Sequence, residues 1–138
     1  MVEIHCHYEG GLRCESRHGP SGSTLATDAP RDNMGKGEAF SPTDLMATAL
    51  GTCMLTTMGI VAAREGWNVD GVDVRVHKHM TAAPPRRIAR LEVVFATPEA
   101  VRAGLDAAAK QRLEETAHGC PVRISLLPAI DVPVTFDW

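Results

Sequence analysis

From Leu45 to Ala63 the chain carries no charged side chain, and the residues just ahead of this run form a strong helix start. Ser41-Pro42-Thr43-Asp44 supplies a hydroxyl N-cap, a proline at the first helical position and a carboxylate three residues beyond the cap that reaches back to it. Gly66 supplies the stop, so a helix is predicted to run to about Glu65. It is long enough to cross a membrane, yet its threonines, alanines and glycines suit a lipid-facing surface poorly. A helix that is apolar or small on both faces has to be covered. The expectation is a central, fully buried helix, packed in a core or on its own copy in a dimer.

The flanking segments show the two-residue period of strands. Val2, Ile4, Cys6 and Tyr8 alternate with Glu3, His5, His7 and Glu9, which predicts a half-buried strand ending at the Gly10-Gly11 turn. A second strand is expected over Leu12 to His18 and a third from Ser23 to Asp28, and together they make an antiparallel meander. Residues Arg31 to Phe40 read as a glycine-rich loop. After the helix, Val72, Val74 and Val76 alternate with Asp73, Arg75 and His77. The turn Ala82-Ala83-Pro84-Pro85 then leads to a returning strand, Ile88 to Phe95. A second long helix is predicted from Thr97-Pro98-Glu99 to Gly119, with Val101, Leu105, Ala108 and Leu113 on its apolar stripe. A short helical turn from Pro121 to Leu126 follows, with Cys120 as N-cap. Ile130, Val132, Val134 and Phe136 then form a last strand, which Pro133 places at a sheet edge. The order β-β-β-α-β-β-α-β predicts a single α+β domain over residues 1–138.

The composition narrows the function. A formal net charge of −3 over 138 residues leaves no basic excess for nucleic acid, and no lysine or arginine block marks a membrane surface. The first ten residues lack the apolar core of a signal peptide, so a reducing cytoplasm is the expected compartment. There the four cysteines point to catalysis, redox sensing or metal binding rather than to a disulfide framework.

Two of those cysteines sit in informative places. Cys120 opens a predicted helical turn, where unpaired N–H groups and the macrodipole favour a thiolate. Cys53 lies about three turns into the long helix, so any activation has to come from outside that helix, for example from an arginine. Free cysteines are also common as small buried hydrophobes, and Cys6 and Cys14 are expected to be core or strand-face thiols without catalytic duty. His5 with His7, and His77 with His79, lie two apart on strands, but a complete metal site needs three or four ligands. No metal and no cofactor is expected. His118, close to Cys120, either tunes that thiol or closes the helix with its charge.

The phrases Phe40-Ser41-Pro42-Thr43-Asp44-Leu45, Ala49-Leu50-Gly51-Thr52-Cys53 and Cys120-Pro121-Val122-Arg123-Ile124-Ser125-Leu126 resemble those of the OsmC/Ohr family. So do Thr27-Asp28-Ala29-Pro30 and the closing Val134-Thr135-Phe136-Asp137-Trp138, and the ordered set spans essentially the whole chain. The resemblance implies an intertwined homodimer with a two-cysteine site at the subunit interface. It also implies reduction of small organic hydroperoxides in oxidative or osmotic stress defence. Carried over, Cys53 is the peroxidatic residue that becomes a sulfenic acid, and Cys120 is the resolving residue that closes a disulfide. A dithiol, dihydrolipoamide in some members, then reduces that disulfide. The arginine that holds the thiolate and polarises the peroxide maps to Arg13, with Arg17 as the substitute.

One position departs from the pattern. The peroxidase branches carry a glutamate directly after the helix-start proline, and here that place holds Thr43. Asp44 is a poor stand-in, because nine residues at about 100° each set it roughly 180° from Cys53 around the helix. Two other readings on the same scaffold therefore stay open. One is a small-ligand-binding or stress-response protein whose pocket is lined by Met34, Met46, Met54 and Met58; the other is a thiol redox sensor without peroxide specificity.

Overall fold

The computed structural model describes residues 1–138, which divide into two compact units, Met1–Met46 and Ala47–Trp138. In the first unit β1 (Ile4–Gly10), β2 (Arg13–His18) and β3 (Thr24–Asp28) form the expected antiparallel meander in the order β1-β2-β3. The tight link between β1 and β2 puts Gly10, Gly11 and Leu12 all at positive φ, which explains the glycine pair. Ile4, Tyr8 and Leu25 share one face of this sheet, since Cys6 pairs with Ser16 and Ser16 with Leu25. That face was expected to be half-buried, but the three side chains are 54%, 60% and 45% exposed in the single chain.

Helix α1 (Pro42–Glu65) starts and stops where the sequence predicts. The Ser41 N–H donates to Asp44 Oδ2 at 2.8 Å and the Asp44 N–H donates to Ser41 Oγ at 3.2 Å, a reciprocal capping box. Gly66 follows at φ +73°, the left-handed conformation that ends the helix without strain. Full burial, however, is not what the single chain shows. Its buried residues, Ala47, Leu50, Gly51, Met54, Met58 and Ala62, form one stripe at helical spacing, while Ile60 is 47% exposed.

In the second unit that stripe faces a sheet of order β4-β5-β6, made of β4 (Asp73–Met80), β5 (Ile88–Ala96) and β6 (Val134–Thr135). β4 and β5 are antiparallel, and β6 joins β5 in parallel at the edge. Leu91, Val93 and Phe95 project from β5 into the core with 0–1% exposure. A side chain at Gly51 would place its Cβ 3.0 Å from Val76 Cγ2 and 3.2 Å from Val74 Cγ1, so glycine sets how closely α1 approaches β4.

The region read as one helix from Thr97 to Gly119 is two. α2 (Glu99–Ala103) ends at Gly104, and α3 (Ala107–His118) begins at Asp106, whose carboxylate accepts the Ala109 N–H at 2.8 Å. Gly104 propagates a helix poorly and Asp106 is a good N-cap, so the break turns Leu105 into the core at 6% exposure. α4 (Pro121–Ile124) follows with Cys120 as its N-cap, as expected. The last strand is shorter than predicted: Pro133 has no N–H to donate, although its carbonyl still accepts the Val93 N–H at 2.9 Å. Behind it Phe136 stacks on Phe95 with ring centroids 4.7 Å apart, and Trp138 Nε1 donates to Glu114 Oε1, which ties the C-terminus to α3.

The two glycines of α1 give a matched test of this packing. Gly51→Val is expected to lower unfolding stability by about 1–3 kcal/mol through overpacking against β4. Gly59→Ala, where a Cβ meets nothing within 4 Å, is expected to raise it by about 0.5–1 kcal/mol. Urea titrations of both variants measure this, and equal effects of the two would contradict the close approach at Gly51.

Candidate active site

Two clusters, one in each unit, hold the residues marked in the sequence. In the second unit α1 brings Cys53 to the margin of its buried stripe, beside Met54, and α4 brings Cys120 into the core. Cys53 packs against the core cluster that contains Cys120, close enough for its side chain to act on the Cys120 proton. All four cysteines are free thiols in this state.

The two sulfurs have opposite surroundings. Cys120 is 0% exposed, whereas Cys53 is partly exposed. As the N-cap of α4, Cys120 Sγ accepts the Arg123 N–H at 3.4 Å, which favours a thiolate. Burial nevertheless dominates and pushes the Cys120 thiol above its ordinary value. The neighbouring Cys53 pushes it the same way, against the backbone N–H groups of Arg123 and Val122. The expectation that the helix N-terminus makes Cys120 the more activated thiol is therefore corrected: a four-residue helix gives less than desolvation takes away.

Next to this pair, Arg123 Nη1 donates to the His118 carbonyl at 3.1 Å. His118 itself is held below its ordinary value, first by burial and then by the Arg123 charge, with Glu114 opposing. Its ring stands edge-on to Phe136, at a centroid distance of 5.8 Å. A neutral imidazole is the favoured form here.

In the first unit Arg13 begins β2 opposite Asp28, the last residue of β3. Arg13 Nη1 donates to Glu38 Oε2 at 2.8 Å, with the two side chains 36% and 54% exposed. Asp28 is 1% exposed, and its Oδ2 accepts the Glu38 N–H at 2.9 Å. Backbone hydrogen bonds, that of Glu38 foremost, together with the Arg13 charge hold the Asp28 carboxyl below its ordinary value despite burial. Asp28 thus fixes the backbone of Glu38, and Glu38 fixes the guanidinium. Arg17 lies four residues further along β2, paired in register with Thr24.

A family model described as OsmC-like protein matches residues 35–135, most of the chain and every element from α1 to β6. The chain belongs to the OsmC-like family. A crystal structure from Psychrobacter arcticus 273-4, described as an osmotic stress induced and detoxification response protein, is 39% identical, with a TM-score of 0.90, over 99% of this chain and 96% of that one. An organic hydroperoxide resistance protein OsmC from Legionella pneumophila aligns at 20% identity and TM-score 0.73 over 100% and 97% of the two chains. The organic hydroperoxide resistance protein OhrB of Bacillus subtilis aligns at 16% identity and TM-score 0.69 over 99% and 98%. No curated protein sequence matches the chain. The OsmC/Ohr fold expected from the ordered phrases is therefore found, with organic hydroperoxide resistance proteins among its structural neighbours.

Within this OsmC-like chain, Cys53 and Cys120 come together and Arg13 finds a carboxylate partner, but not the one weighed from sequence. Asp44 is occupied in the capping box, and the Thr43 hydroxyl lies 3.1 Å from that of Ser41. Glu38 was missed because it is separated from Arg13 by 25 positions in a loop without periodicity. Asp28 did carry a signal, the Thr27-Asp28-Ala29-Pro30 phrase. Cys6 lies exposed on β1, where it accepts a hydrogen bond from Ser16 at 3.3 Å. Met54 and Met58 are core residues at 0% and 1% exposure, while Met34 and Met46 are 87% and 42% exposed in the single chain. No three His, Cys, Asp or Glu side chains gather in a metal-holding arrangement.

Because the Asp28 carboxyl is depressed in the folded state, its contribution to stability is full above about pH 3.8 and is lost as pH falls through the lower folded value. Asp28→Asn is therefore expected to be less stable than the parent near neutral pH, with the gap closing in acid. Urea midpoints measured from pH 7 downward follow this, and a gap constant with pH would contradict it.

Proposed function

We propose that this protein is a thiol peroxidase that reduces small organic hydroperoxides, acting in the cytoplasm as a homodimer and recycled by a dithiol such as dihydrolipoamide. The observation that carries this reading is a partly exposed Cys53 packed against the core cluster that holds a buried Cys120, near enough to act on its proton. An incoming peroxide has access to the first sulfur, and the second waits within reach of it.

In the first step the Cys53 thiolate attacks the terminal peroxide oxygen, the O–O bond breaks, and the alcohol leaves with a proton. Cys53 becomes a sulfenic acid. Arg13 is assigned to the developing charge, with Glu38 and Asp28 setting the guanidinium orientation that Thr43 leaves unsupplied. In the second step Cys120 attacks the Cys53 sulfur, forms the disulfide and releases water. The surroundings of Cys120 suit this order. Burial first, and the neighbouring Cys53 after it, favour the protonated thiol, which keeps Cys120 in reserve until a sulfenic acid stands beside it.

The homodimer reading is supported by apolar surface that the single chain leaves open on β1 and β3, at Ile4, Tyr8 and Leu25, and separately on α1 at Ile60. The stress-defence assignment draws on the relative described as a detoxification response protein.

With reduced protein and cumene hydroperoxide, one peroxide and two thiols per chain are expected to disappear. Cys53→Ser should abolish turnover, and Cys120→Ser should leave a sulfenic acid that a dimedone adduct reports. Arg13→Ala should lower kcat/KM by about 10²-fold, and Glu38→Gln by about 2–5-fold, the range of an exposed ion pair. Unchanged peroxide, or full activity in Cys53→Ser, would overturn the proposal. Equal rates with hydrogen peroxide and general oxidants would instead favour the thiol-sensor reading.

A further inference from the structure

The disulfide of this site offers two sulfurs to an attacking thiolate, and the fold makes them unequal. Exchange runs through a mixed disulfide, so the attacked sulfur has to be reachable from solution while the other leaves as a thiolate. Cys120 is 0% exposed and belongs to the core cluster with Leu113 and Ala117. Cys53 is partly exposed, and on its own helix Thr56, three residues on, is exposed beside it. A molecule approaching from solvent has surface at Cys53 to reach and none at Cys120.

Burial makes Cys120 the poorer leaving group, so access to Cys53 decides the attack and the start of α4 only eases the departure. A thiolate departing at Cys120 receives the Arg123 N–H, already 3.4 Å from its sulfur. It has the N-cap position of α4 to itself once Cys53 is bonded elsewhere. Its buried surroundings favour the protonated form, so it takes up a proton and does not readily attack back.

We propose that the reductant attacks Cys53 Sγ and expels Cys120, so that the mixed disulfide of the recycling step forms on Cys53 alone. This rests on the disulfide cycle proposed above. For a dithiol, one thiolate bonds to Cys53 Sγ as the Cys53–Cys120 bond breaks, and the electron pair of that bond goes to Cys120. The second thiolate of the same reductant then displaces Cys53, closing the reductant's own disulfide. The two protons lost by the reductant end on the Cys53 and Cys120 sulfurs.

The test begins with the disulfide made by diamide, which is independent of peroxide. The oxidised protein is mixed with excess benzyl mercaptan, quenched in acid within seconds, denatured, alkylated with iodoacetamide and mapped by mass spectrometry. The benzylthio group is expected on the Cys53 peptide, with the alkyl group on Cys120, in excess over the reverse arrangement by roughly tenfold or more. Equal labelling, or a preference for Cys120, overturns the proposal, as does failure of diamide to join these two cysteines. A Cys53 adduct in protein that cumene hydroperoxide does not oxidise would uphold this proposal while overturning the peroxidase reading.

Discussion

The seating of α1 on β4 is the constraint from which the site in the second unit follows. Gly51 lets the helix approach until a Cβ would already touch Val74 and Val76, and the stripe from Ala47 to Ala62 fills the space on either side. That contact fixes the rotation of the helix about its axis. Cys53, one residue before the buried Met54, then falls at the edge of the stripe, partly covered and partly open. A rotation of one residue, about 100°, would bury the thiol or carry it away from Cys120. The site needs no loop to hold the first sulfur, because packing against a sheet holds it.

The second sulfur shows how two familiar effects compete. A helix N-terminus draws a thiol toward its anion, and Cys120 does receive an N–H at the start of α4. Desolvation opposes this and prevails, since a short helix offers only the Arg123 and Val122 N–H groups against complete removal from water. The outcome is a difference in access: the Cys53 sulfur is partly open to solution and the Cys120 sulfur is closed to it. The Arg13 cluster in the first unit follows a similar logic, with a buried carboxylate, Asp28, organising the backbone that presents Glu38.

Much of this was legible because it is local. The Ser41–Asp44 capping box, the Gly66 stop and the Val72–Val76 alternation are signals contained within a few residues, and each element forms where they place it. The family phrases carried the fold and named both cysteines. The break at Gly104 was read through because the apolar stripe continues across it, and only the Asp106 cap shows that the chain restarts there. One chain leaves part of α1 and one face of the first sheet open, since a sequence marks which side chains are apolar but not which of them a single chain covers. The Arg13–Glu38 pair was out of reach for another reason: strand register and a loop path, not spacing, bring the two together.

The most direct test of the account is the linkage map of the protein after one equivalent of an organic hydroperoxide. Four cysteines make the experiment discriminating, because Cys6 and Cys14 on the first sheet serve as internal controls. The account predicts a single disulfide joining the Cys53 and Cys120 peptides, with Cys6 and Cys14 still open to alkylation. A disulfide that includes Cys6 or Cys14, or a chain that keeps all four thiols while peroxide is consumed, would contradict it.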